Sequence, residues 1–192
     1  MDPITPAPLH PSAYADGFAR AHLPLREQWP ELVFDATTAA YPERLNAAAA
    51  LLDAAVARGQ GDRTALIGQA STYTYGQLLA RVNQLARVIR EDWRLPTGSR
   101  ILLRGENSPD LALAWLAVLK AGCIAVTTMP LLRAKELGEI IAKAQPSVAL
   151  CDATLLNELE LAQQQQTVLT TIVPFNLMDA PGSLAVRAAA HD

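Results

Sequence analysis

Residues 101–130 read Ile-Leu-Leu-Arg-Gly-Glu-Asn-Ser-Pro-Asp-Leu-Ala-Leu-Ala-Trp-Leu-Ala-Val-Leu-Lys-Ala-Gly-Cys-Ile-Ala-Val-Thr-Thr-Met-Pro. Apolar and β-branched residues open and close this stretch. Between them, Ser108-Pro109-Asp110 has the form of a helix start and Gly122 that of a helix stop. The stretch therefore predicts strand, helix, strand. Its helix is apolar nearly all round, which requires protein on several of its sides. Such a segment belongs inside a layered α/β domain.

The same order continues downstream. Strands are expected at 100–104, 123–128, 147–151 and 167–173, and helices at 109–121, 133–145 and 154–165. Pro146 closes the second of these helices, and the order Glu139 to Lys143 supports its last turn. Ile101, Val126, Val148, Val168, Ile172 and Val173 supply β-branched residues to the strands. Strands joined by helical crossovers make a mainly parallel sheet with helices on both faces.

Upstream, Thr64–Gly68 and Ser71–Thr74 form a small hairpin around Gly68-Gln69-Ala70. Thr74 then caps a helix with Gln77 as its capping-box partner, and Leu78, Val82, Leu85 and Ile89 make an apolar stripe along it. An Ala-rich helix is expected from Arg44 to Arg58, stopped by Gly59. Before it, residues 1–42 read as an irregular N-terminal arm, extended at Pro3, Pro6, Pro8 and Pro11. Phe18, Leu23, Leu25, Trp29, Leu32, Val33, Phe34 and Tyr41 would lay apolar side chains over a domain surface. The expected organisation is thus an arm at 1–42, an α/β subdomain at 43–175 and a loop or linker at 176–192, marked by Pro181-Gly182.

A chain of 192 residues with 51% hydrophobic and 18% charged residues is long enough and apolar enough for a real core. The formal charge of −3 is unevenly spread. Residues 61–150 carry eleven Lys and Arg against seven Asp and Glu, hence +4, and the flanks compensate. That middle section would suit a phosphate-bearing small molecule, although charges on several elements read first as solvated faces. No basic run is interleaved with aromatics and the pI is about 5.6, so no nucleic-acid partner is expected.

The longest apolar run, Leu111 to Leu119, is too short to span a bilayer, and the N-terminus has no signal-peptide pattern. A cytoplasmic protein without a membrane partner is expected. Cys123 and Cys151 read as reduced, buried hydrophobes. His10, His22 and His191 have no partner at ligand spacing, so no metal site is expected.

Generic catalytic patterns are absent. There is no G-x-x-x-x-G-K-[ST] and no G-x-S-x-G, and Gly59-Gln60-Gly61 follows a helix where a dinucleotide fingerprint follows a strand. No catalytic residue is expected in this chain. Topology still marks a place for a ligand, because open α/β sheets bind at the carboxyl ends of their strands. Here those ends are Arg104-Gly105-Glu106-Asn107-Ser108 and Thr127–Arg133, each leading into a helix N-terminus whose free N–H groups suit an anion. The plain alternative is that Asn107 and Ser108 cap a buried helix and that Arg133 and Lys135 sit in a solvated first turn.

Tyr73-Thr74-Tyr75-Gly76-Gln77-Leu78 resembles the first core motif of the AMP-forming adenylating enzymes, with Gln77 where that motif has glutamate. Asn107-Ser108-Pro109, Leu119-Lys120-Ala121-Gly122 and Met129-Pro130 resemble the second, and Glu136-Leu137 with Gln145-Pro146 match the following helix and its stop. Tyr41–Asn46, Leu51-Leu52-Asp53 and Gly61-Asp62-Arg63, with the arm from Phe18 to Pro30, resemble the benzoate and 2-aminobenzoate CoA-ligase branch.

The resemblance implies the N-terminal part of an enzyme that joins an aromatic acid to CoA through an acyl-adenylate, using ATP, Mg2+ and CoA. It also implies that the phosphate loop, the acid pocket and a mobile catalytic lysine lie beyond Asp192. The chain alone would then be inactive, need no cofactor, and self-associate through the surface left uncovered. Lys120 would be a structural helix-end residue. Arg133 and Lys135 would lie where some relatives hold the CoA phosphates. The alternative is a free-standing, non-catalytic α/β binding or interaction domain derived from such an enzyme.

Overall fold

A computed structural model describes residues 11–30, 42–69, 71–177 and 180–191. Pro3, Pro6, Pro8, His10, Leu32, Val33, Phe34, Tyr41, Ala70 and Asp192 lie outside the described residues. The fold is α/β, with four parallel strands at its centre. These are β3 (Arg100–Arg104), β4 (Ile124–Thr128), β5 (Val148–Asp152) and β6 (Thr171–Phe175), in the order β4-β3-β5-β6. Register runs Arg100↔Ile124 and Ile101↔Val148 on the two sides of β3, and Val148↔Thr171 between β5 and β6.

Alternation along the strands divides the core into two. Ile101, Leu103, Leu150, Val173 and Phe175 face α2 (Tyr75–Arg87), α3 (Pro109–Lys120) and the short α6 (Leu184–Ala188). Leu102, Ala149 and Cys151 face the other way, onto α4 (Ala134–Ala144) and α5 (Leu156–Gln165). Each face thus buries a period-two set against helices carrying 3.6-period stripes. No described helix is long and apolar enough to cross a membrane.

The helix that decided the fold is built as its residues require. Ser108 Oγ accepts from Leu111 N at 3.1 Å, Pro109 takes the first helical position, and Gly122 leaves the helix at φ +75°. Leu113, Ala114, Leu116, Ala117 and Val118 are buried, whereas Trp115 is 38% exposed, so one side remains open. The hairpin strands β1 (Thr64–Ile67) and β2 (Thr72–Thr74) lead into α2. There Thr74 and Gln77 complete the reciprocal capping box, at 3.2 and 3.0 Å. A cap of this kind contributes about 1 kcal/mol. The hairpin tip rests on the start of α3, where a Cβ on Gly68 would come within 2.4 Å of the Pro109 ring.

Four expectations need correction. The last strand is Thr171–Phe175, not 167–173. Leu169 is buried against the α4 and α5 side from a turn, and Pro174 is accommodated in the outermost strand. Within 176–192, read as loop or linker, Ser183 caps α6, which buries Leu184 and Ala188. The Ala-rich helix starts at 47, not at Arg44, and much of it runs in wider π turns until Gly59 breaks it at φ +77° as expected. Lastly, the described part of the arm is held chiefly by polar contacts. Asp16 N donates to Thr97 O at 2.8 Å, the Asp16 carboxylate pairs with Arg100, and the Arg100 guanidinium lies 4.3 Å over the Phe18 ring. Leu23 and Leu25 are exposed.

Candidate functional site

The helix after β3 packs on one face of the sheet and the helix after β5 on the other, although these strands are neighbours. That divergence opens a crevice at their carboxyl ends, the usual ligand position in an open α/β sheet. Two cavities occupy this end, and both are lined by Thr154.

The larger, about 880 Å³, runs from the hairpin tip at Ile67–Gln69 to Glu106–Asp110, Asp152 and Asn176. It is acidic. Asp152 is 5% exposed and accepts from Thr154 N at 2.9 Å, Thr154 Oγ1 at 2.7 Å and Asn176 Nδ2 at 3.1 Å. Burial, and then the charge of Asp152, push the Asp110 carboxyl above its usual range against a smaller opposing pull from Arg81. Carboxylates from Glu106, Asp110 and Asp152 repel a phosphate chain, so this cavity does not fit the triphosphate of ATP. No three His, Cys, Asp or Glu side chains among the described residues are placed to hold a metal ion.

The smaller cavity, about 320 Å³, has the opposite character. Arg104, Pro130–Arg133, Leu155 and Glu158 line it. Arg104 ends β3 on the face occupied by Leu102 and is only 1% exposed. It donates to Met129 O at 3.0 Å, Pro130 O at 2.9 Å, Leu132 O at 2.8 Å and Leu155 O at 3.3 Å. One planar fork therefore ties the β4–α4 loop to the turn after β5. Burial lowers its pKa from the usual arginine value.

Arg133 stands at the rim, 77% exposed in its side chain, with Nη1 2.9 Å from Glu158 Oε1. The second carboxylate oxygen of Glu158 accepts from Ala134 N at 2.9 Å, and Glu136 accepts from Arg133 N at 3.1 Å. Two side-chain carboxylates thus sit on the N-terminus of α4. Lys135 is exposed and lines neither cavity. Asn107 and Ser108 line the acidic cavity, so the two strand-end loops singled out in the sequence face different chambers.

Sequence reasoning placed Arg104 at a strand end without giving it a role, and it missed Asp152, Glu158 and Asn176. For Arg104 a signal existed, because period-two alternation places it on the same face as Leu102. A charge on the buried face of an inner strand implies a dedicated set of partners. Asp152 and Asn176 meet only through tertiary structure.

Lys120 pairs with Asp53, and Asn46 Nδ2 donates to Leu119 O and Lys120 O at 3.0 Å, which makes Lys120 part of the clamp between α3 and helix 47–60. Burial pushes the Cys123 thiol up to about 11 and the Cys151 thiol up to about 12. Neither thiol is expected to react with iodoacetamide at pH 8 in the folded protein, and both become alkylated on addition of urea, as intact mass spectrometry would read.

The chain matches the family of AMP-binding enzymes over residues 53–190. It is similar to the benzoate–CoA ligase of Thauera aromatica, 29% identical over 115 residues that make up 60% of this chain and 22% of that protein. It is also similar to a carboxylic acid reductase of Mycobacterium marinum, 29% identical over 179 residues, 90% of this chain and 14% of that protein. Among solved structures, an anthranilate CoA ligase in complex with anthranoyl-AMP shares the fold with a TM-score of 0.69 at 19% identity, covering 75% of this chain and 27% of that one. The chain spans about a quarter or less of the length of these relatives.

Proposed function

We propose, on the premise that the chain belongs to the AMP-binding enzyme family, that it is the N-terminal part of an AMP-dependent aromatic carboxylic acid–CoA ligase. The complete enzyme would turn an aromatic acid, ATP and CoA into acyl-CoA, AMP and pyrophosphate through an acyl-adenylate. The observation that carries this reading is the sequence likeness to a benzoate–CoA ligase over more than half of the chain. In this reading 1–42 is the arm, and the α/β subdomain begins at 43 and takes in α6, whose Leu184 and Ala188 pack in the same core.

The role of the described residues is to scaffold and position. The acidic cavity turns phosphates away, whereas the Arg104–Arg133 cavity attracts them. We assign Arg133, with Lys135 in the same first turn of α4, to the phosphates of CoA in the complete enzyme.

The test is ATP–pyrophosphate exchange with benzoate or 2-aminobenzoate. The complete protein is expected to exchange label into ATP and the 192-residue chain is expected to show none. Exchange by the 192-residue chain alone would overturn its non-catalytic assignment. Silence from the complete protein with both acids would remove the aromatic-acid reading.

A further inference from the structure

Arg100, the first residue of β3, serves two elements at once. Its Nε donates to Ala144 O at 3.0 Å and its Nη2 to Gln145 O at 3.2 Å, carbonyls that the end of α4 leaves without a helical partner. Its Nη1 pairs with the Asp16 carboxylate of the arm and donates to Gly98 O at 3.3 Å. Residues 14–18 add main-chain contacts of their own, for besides the Asp16–Thr97 bond, Ala15 N donates to Thr97 Oγ1 at 3.0 Å. They lie so close on Gly98 that a Cβ there would come within 2.6 Å of Tyr14 Cβ. Yet no described residue of 11–30 belongs to either core cluster, and Tyr14, Leu23 and Leu25 are exposed. A segment fastened this way, with nothing in the core, opens at a lower free energy than the sheet beneath it.

We propose that residues 14–18 are a releasable strap and that Arg100 couples its seating to the last turn of α4, which tightens when the strap is docked and loosens when it leaves. The coupling follows from one guanidinium meeting both. With Asp16 and the Phe18 ring in place, the head of Arg100 is fixed and its Nε and Nη2 stay aimed at the α4 carbonyls. Without them a long side chain regains rotamer freedom. The end of α4 is the place where that loss is felt. Gln145 closes the helix in a left-handed turn at φ +49°, held by its own N–H to Ile141 O at 2.8 Å and by the Arg100 bond to its carbonyl. The strap is also seated with its charge. The Phe18 N–H, 2.8 Å from Asp16 Oδ1, holds the Asp16 carboxyl below its usual range, burial opposes it, and Arg100 lowers it further.

The experiment is amide hydrogen exchange of the 192-residue chain, read by mass spectrometry on peptides covering 14–18, β3, α3 and the end of α4. It compares the natural sequence with Asp16→Asn and Phe18→Ala. In the natural chain the amides of Ala15, Asp16 and Phe18 are expected to exchange faster than those of β3, the mark of opening below global unfolding. Asp16→Asn keeps the shape and an acceptor for the Phe18 N–H but gives up the ion pair, so exchange at 14–18 is expected to rise about tenfold. Both substitutions lie on the strap, and a change at α4 has to pass through Arg100. Exchange at the last turn of α4 is expected to rise about threefold in each variant, with β3 and α3 unchanged as the measure of an intact fold. Exchange of 14–18 in step with β3 in the natural chain would show that no separate strap exists. A strap freed in both variants with α4 unaltered would overturn the coupling through Arg100.

Discussion

Replacing Arg104 by Met is expected to lower the unfolding free energy by about 3 kcal/mol, seen as a lower urea midpoint at unchanged m-value. Methionine fills much of the same space, so a cavity is not the cause. The loss comes from Met129, Pro130, Leu132 and Leu155, whose carbonyls lose a donor at a residue only 1% exposed. Arg104→Lys is expected to recover part of it, because an ammonium reaches some of these oxygens but cannot span two loops as a planar fork does. A midpoint unchanged in Arg104→Met would mean that water replaces the guanidinium without penalty.

A loss of similar size, also about 3 kcal/mol, is expected for Leu103→Ala, one residue away and on the other face of the sheet. Leu103 is 1% exposed and packs in the cluster with α2 and α3, where helices and a central strand leave little freedom to collapse around a void. The control is Ile67→Ala at the hairpin tip. Ile67 is 81% exposed, and its replacement is expected to change stability by less than about 0.5 kcal/mol. Equal midpoint shifts for the two variants would place the core elsewhere.

The sheet was readable because its signals are local and repeated. Ser108, Gly122 and Pro146 punctuate the chain, and strands β3, β4 and β5 fall within one residue of where β-branched runs predict them. The sixth strand was misplaced by the Thr-Val-Leu run at 167–169, which resembles a strand but whose Leu169 serves the core from a turn. The small helix at Leu184 was hidden behind Pro181-Gly182, although Ser183 followed by an apolar pair four residues apart is a cap and a stripe in miniature.

The candidate site was legible as a place and not as chemistry. Topology marked the strand ends, and Arg133 does line a cavity there. The acid–base contrast between the two chambers sets Asp110 and Asp152 against Arg104 and Arg133, and the Asp152–Asn176 and Arg133–Glu158 contacts that fix these groups leave no mark in sequence spacing.

Pro174, in the outermost strand, gives the sheet two unequal borders. Thr171 N donates inward to Ser147 O, so alternation turns the amide positions of 172 and 174 away from β5. One of those two positions is a proline with no hydrogen to offer. At the opposite border, Ile124 N donates inward to Ser99 O, which leaves Ala125 and Thr127 to present intact amides outward. A strand from another polypeptide would find a continuous ladder along β4 and a broken one along β6. Among the described residues, an added strand would thus meet a full set of outward donors on β4 and an interrupted set on β6.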